Sequence, residues 1–177
     1  MKKVVEIVAA VVRVICDDAE VLLEGMSQEV VHVARQLSLP AVPDVFISQT
    51  HLTCGEWRVV AEALQIVALF LSPYCRRTRE LKLIVELLNA TSAWYWSGCI
   101  DAFLLSDIDA LQRTTTALRK TLLRVQEDFD VSIGCPKVHR MTHVAASVED
   151  YGPYDMLTAE MGEASHQRFK HMFATYV

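Results

Sequence analysis

Seven residues recur at alternating spacings of three and four along one stretch of the chain: Ile108, Leu111, Thr115, Leu118, Leu122, Val125 and Phe129. That period is the a/d seam of an α-helix and does not suit a strand, whose faces repeat every two residues. A seam of this length must be covered. It predicts either one buried stripe of a helical bundle or a dimeric coiled coil, and Thr115 weakens the coiled-coil alternative. Self-association or a protein partner through residues 108–129 is the use that alternative implies.

The rest of the chain punctuates in the same style. Residues 4–15 and 20–37 read as helices. Leu39, Pro40, Ala41, Val42, Pro43 and Asp44 then make a non-helical connector within residues 38–53. Thr53, Cys54, Gly55 and Glu56 read as a capping box, in which the hydroxyl accepts from an orphan amide and the glutamate reaches back. The helix behind it carries Trp57, Val60, Leu64, Val67 and Leu71 on one stripe, and Ser72 and Pro73 stop it. A further helix is expected from near Thr78 towards Phe103, bent around residues 94–98. The seam helix is expected to be capped by Ser106, Asp107, Ile108 and Asp109. Beyond it, a short strand is expected near Val131 to Ile133, a helix over residues 139–149, and a final helix over residues 158–176.

The expectation is a mainly α chain, an irregular bundle of about six helices in a single domain over residues 1–177. It divides into N-terminal helices and a connector (1–44), a middle set of helices (45–130) and a C-terminal segment (131–177). A chain with 52% hydrophobic and 22% charged residues is not disordered. Its net charge of −5 gives no overall phosphate-binding character, so DNA contact would need a local patch or another part of a larger protein. Five cysteines, none closer than 21 residues to the next, make no zinc ribbon or redox pair and suit a reduced intracellular protein. The most apolar stretch, residues 61–74, contains Glu62 and is too short for a membrane span.

Two constellations could carry chemistry. His139 and His143 stand at i and i+4, which on a helix brings both rings within reach of one metal ion. The plainer alternative is a polar pair on a half-buried face, and the intervening Arg140, Met141 and Thr142 lack the glutamate of a zinc protease motif. Glu160, Glu163, His166 and Lys170 follow at spacings of three, three and four, so they line one stripe of the final helix. Such a stripe suits a hard divalent cation beside a phosphate, or else a solvated face with local ion pairing. Trp57, Trp94 and Trp96 are expected to fill the core or its edge, where each indole N–H needs a partner. A nucleic-acid stacking surface is the alternative for Trp94, Tyr95 and Trp96.

The run Pro136, Lys137, Val138, His139, Arg140, Met141, Thr142, His143, followed by Tyr151, Gly152, Pro153 and by the segment from Thr158 to His166, resembles the C-terminal catalytic region of cut-and-paste DNA transposases. The likeness is to the CACTA-like superfamily and its Plavaka type. Upstream, Leu52, Thr53, Trp57 and Arg58 look like the start of that family's helical insertion. The resemblance covers roughly residues 45–175 and about a dozen motif positions.

It implies the insertion and C-terminal end of a ribonuclease-H-like core, whose two Mg²⁺ ions activate water and then a DNA 3′ hydroxyl. Glu163 would be the catalytic glutamate, with Glu160 as the alternative one turn away. His166 and Lys170 would contact DNA. His139 and His143 would match paired histidines that in some relatives bind Zn²⁺ together with two cysteines. Here that cysteine pair is missing, because Cys54 and Cys75 are 21 residues apart. The two catalytic aspartates are not readable either: Asp17 and Asp18 lie between helical stretches. The chain alone is therefore expected to have no catalytic activity, with DNA as the partner of the complete protein and the nucleus as its site.

Overall fold

The structure, a computed structural model, describes residues 2–39, 45–46, 54–73, 79–100, 103–131, 133 and 136–151. These hold seven α-helices and, among the described residues, no strand. They are α1 (Lys2–Ile15), α2 (Ala19–Gln36), α3 (Cys54–Leu71), α4 (Arg79–Gly98), α5 (Leu105–Phe129), α6 (Pro136–Met141) and α7 (Val144–Tyr151). Helices adjacent in sequence pack together from α1 to α5. α1 also meets α4, so the first four close on themselves, while α5 lies against α4 and α7 against α5.

The mainly α expectation holds, and the elements form for local reasons that the residues make plain. α1 is strongly amphipathic: Lys2, Lys3, Glu6 and Arg13 share one side, and Val4, Val5, Ile7, Val8, Val11 and Val12 on the other are all buried. Its β-branched residues are poor helix formers, so tertiary packing rather than propensity holds it helical. α2 ends in a Schellman arrangement. Ser38 has a left-handed φ of 54°, the Ser38 N–H donates to the Arg35 carbonyl and the Leu39 N–H donates to the Ala34 carbonyl. Leu39 then packs against the core, the apolar contact that accompanies this cap.

The connector behind α2 is anchored at Val45 and Phe46, both buried. The Phe46 N–H donates to Ser27 Oγ at 3.2 Å, which satisfies a backbone donor that no helix could. α2 and α3 cross closely at Gly25, where a Cβ would stand 2.9 Å from Phe70 Cζ.

The main core draws on α1 to α5. Ile7, Leu23, Met26, Phe46, Leu64, Leu71, Ile84, Leu87, Leu88, Leu118 and Leu122 are its large fully enclosed members. Each contributes about 2 kcal/mol of transfer free energy before chain entropy is charged against it. A second, small cluster is separate: Leu111 of α5 with Ala145 and Val148 of α7, flanked by Trp94, Phe103, Ile108 and Val144.

Four expectations change. α4 runs unbroken through Trp94 and Trp96 and stops at Gly98, short of Phe103. α5 begins earlier than its expected cap: Leu104 is the cap residue, and Asp107 Oδ2 accepts from the Leu104 N–H at 2.9 Å. The helix expected over residues 139–149 is two helices, α6 and α7, parted by a turn at Thr142 and His143. Val131 and Ile133 are not in a strand, and Ile133 is buried in the main core instead. The final helix expected over residues 158–176 lies outside the described residues, as does Thr53 of the expected capping box. No described helix is long and apolar enough to cross a membrane.

Candidate functional site

The seam of α5 sets the geometry around every candidate. Leu111, Thr115, Leu118, Leu122 and Val125 are buried within the chain, and Ile108 and Phe129 are half-buried. The apolar face that would carry self-association is thus already covered by α4, the main core and α7. Thr115, the misfit of a coiled-coil seam, has a definite task. Its Oγ1 accepts the Trp94 indole N–H at 3.1 Å and itself donates to the Leu111 carbonyl at 2.7 Å. Beside it, Ser97 Oγ and Thr114 Oγ1 share a hydrogen bond at 2.7 Å. α4 and α5 are therefore joined by a short polar layer between two apolar ones, and it fixes their register as a purely apolar seam would not.

That layer decides the tryptophans. Trp57 and Trp94 are half-buried against the main core, as expected of core-edge residues. Trp96 is 48% exposed and meets Tyr95 edge-on, with centroids 5.5 Å apart and planes at 73°. Consecutive helical residues point about 100° apart, so Trp94, Tyr95 and Trp96 do not present parallel rings to one strand of nucleic acid.

The histidine pair is built by the α6–α7 turn. The Thr142 N–H donates to the His139 carbonyl and the His143 N–H to that of Arg140, a tight i to i+3 closure that ends α6. Thr142 Oγ1 adds a second bond to the His139 carbonyl at 2.7 Å. The His143 carbonyl accepts from both the Ser147 amide, at 2.9 Å, and Ser147 Oγ, at 3.0 Å, which starts α7. Across this turn the two rings remain together, with centroids 5.1 Å apart and planes at 72°. Both side chains are exposed.

Two imidazoles at that distance can share one borderline divalent ion, but a closed zinc site needs four ligands. Among the described residues no group of three or more His, Cys, Asp or Glu side chains is assembled. The residues described do not fit a structural zinc. Cys75 lies outside them and the Cys54 side chain is not described.

Glu160, Glu163, His166 and Lys170 also lie outside the described residues. Asp17 and Asp18 are exposed in the turn between α1 and α2. Their chemistry there is local: partial burial first, then the charges of Asp17 and Asp18, push the Cys16 thiol above its ordinary pKa and away from a reactive thiolate.

A groove of about 610 Å³ opens where the end of α1 meets the start of α4 and the end of α5. Arg79, Lys82 and Arg124 on its walls are matched by Glu80, Glu86 and Asp128. Arg124 Nη1 pairs with Glu86 Oε2 at 2.7 Å across the α4–α5 joint. Balanced charge of this kind gives no anion preference and no phosphate track. Sequence reasoning missed two groups: the Trp94–Thr115 bond, and Ala145 with Val148 as the anchor of α7. The spacing of Val144, Ala145 and Val148 was the available signal, but three small side chains in eight residues make a weak one. No family, curated protein or solved structure matches the chain.

Proposed function

We propose that the chain is the helical insertion and C-terminal part of a transposase of the CACTA-like kind. In this reading it supports Mg²⁺-dependent DNA strand cleavage and transfer without performing either alone. What supports the reading is that the described members of its two motif runs lie on one set of packed helices. Trp57 of the upstream run packs against the main core, and the histidine run lies on α6 and the turn that leads into α7, with α7 seated on α5. Two-metal phosphoryl transfer needs several carboxylates around both ions. This chain supplies Glu163 (or Glu160) to that set, with His166 and Lys170 towards DNA, and a front half of the core must bring the two aspartates. A net charge of −5 also argues that DNA is held mainly by that other part.

The test is the native transcript upstream of Met1. The expected result is an open frame with strand-like runs bearing two aspartates. The protein it encodes should cleave DNA with Mg²⁺, and E163Q should abolish cleavage while leaving its helical content unchanged. Stop codons directly upstream, with no cleavage by the 177-residue chain, would overturn the reading.

A second reading, a helical protein-interaction module, is favoured by a different observation. The seam and both apolar clusters close within the described residues, while Trp96, Leu104 and Leu105 stay exposed around the α4–α5 connection. A cooperatively folding chain that retains a protein partner without DNA supports that module.

A further inference from the structure

The side of α5 turned away from the seam is basic. Between Ala110 and Gln126 the helix carries Arg113, Arg119, Lys120 and Arg124 and no acid, in a chain whose net charge is −5. Arg124 is tied to Glu86, just as Lys2, Lys3 and Arg13 pair with glutamates elsewhere. Arg113, Arg119 and Lys120 make no ion pair among the described residues. At 3.6 residues per turn Arg113 and Lys120 stand within about 20° of each other, about 10 Å apart along the axis and opposite the buried seam. Arg119 lies on one flank of that line, on the same side as Gln112 and Thr116, and all five side chains are exposed. The exposed Asp109 and Glu127 bound the face at its two ends.

We propose that this face of α5 docks on the phosphate backbone of duplex DNA without reading its sequence. Charge complementarity selects the occupant: three cations with no partner of their own suit a row of phosphates, which contact of this kind positions but does not decode. A protein partner would need an apolar or aromatic anchor, and Gln112, Arg113, Thr116, Arg119 and Lys120 offer none. The same lack of an aromatic ring disfavours a single strand, which binds by stacking its bases. An anionic bilayer would have to take up the exposed Leu104 and Leu105, and Asp107 and Asp109 stand between these and the cations. A single straight helix can lie along the wide major groove of B-DNA, which A-form RNA closes. The proposal goes beyond the transposase reading, which turns His166 and Lys170 towards DNA, and does not depend on it.

The experiment is fluorescence anisotropy of a labelled DNA duplex titrated with the 177-residue chain over a salt series. The expected result is weak binding whose log affinity falls with log salt at a slope of about −2.7, as three neutralised phosphates require. R113Q/K120Q should bring the slope to about −0.9 and weaken binding at low salt at least about tenfold, with helical content unchanged. R113K keeps the charge and should keep the slope. K2Q/K3Q removes the same net charge from α1 and should leave binding unchanged. No cleavage is read, so the result stands apart from what the transcript upstream of Met1 encodes. Absence of binding at low salt, a slope that R113Q/K120Q does not alter, or an equal loss in K2Q/K3Q would overturn the proposal. So would tighter binding of a duplex RNA of the same length, of a polyglutamate peptide or of anionic vesicles.

Discussion

The two halves of α5 carry the same pattern and live in different surroundings. Leu118, Leu122 and Val125 enter the main core, which the four preceding helices also build. Ile108 and Leu111, two turns earlier on the same stripe, are covered by one eight-residue helix, Trp94 and Phe103. Leu111 and Leu118 are both fully buried. Burial alone therefore does not rank them. What differs is how the covering element is held: α1 to α4 are packed on one another, while among the described residues the main partner of α7 is α5 itself. Thr115 and Trp94 stand at the boundary, and Trp94 touches both clusters.

The largest test of that contrast is Leu118→Ala. It should cost about 3 kcal/mol of global stability by denaturant titration, since the main core cannot collapse into the cavity. Leu111→Ala should cost less, because α7 can settle or undock. Equal losses would break the comparison.

Next comes the boundary. Thr115→Val keeps the shape but leaves the Trp94 indole N–H without its acceptor, and should cost about 1–2 kcal/mol. Trp94→Phe combined with Thr115→Val should cost less than the sum of the two single changes. A strictly additive pair would mean that the bond adds nothing.

The smallest effect belongs to the ion pair outside both clusters. Arg124 and Glu86 are 46% and 38% exposed, so Arg124→Ala should change stability by no more than about 0.5 kcal/mol, and by less at high salt.

The legibility of the chain in its sequence followed the same division. α1, α2, α3 and α5 announce themselves through their apolar spacing, and five of the seven residues of the α5 seam are the residues it buries. The break between α6 and α7 has no glycine or proline to announce it. It is made by backbone bonds around Thr142, and a helical spacing of His139 and His143 survives it by geometry across a turn. The end of α4 at Gly98 was hidden because the apolar pattern continues to Phe103, which packs from outside the helix into the small cluster. The pairing of Trp94 with Thr115 joins residues 21 apart and depends on the register of two helices, which no local pattern encodes. Of the candidate site, only the proximity of the two histidines could be read locally. The third and fourth ligands of a metal site are a matter of tertiary assembly, and the described residues do not supply them.

Native-state hydrogen exchange, resolved by residue, tests the central claim most directly. If one stripe on α5 serves two separately held parts, amides of α7 should exchange at least about 100-fold faster than those of α3 and α4, through an opening that leaves the main core protected. Exchange of α7 at the same rate as the main core, with the same denaturant dependence, would contradict it and make the chain a single cooperative unit.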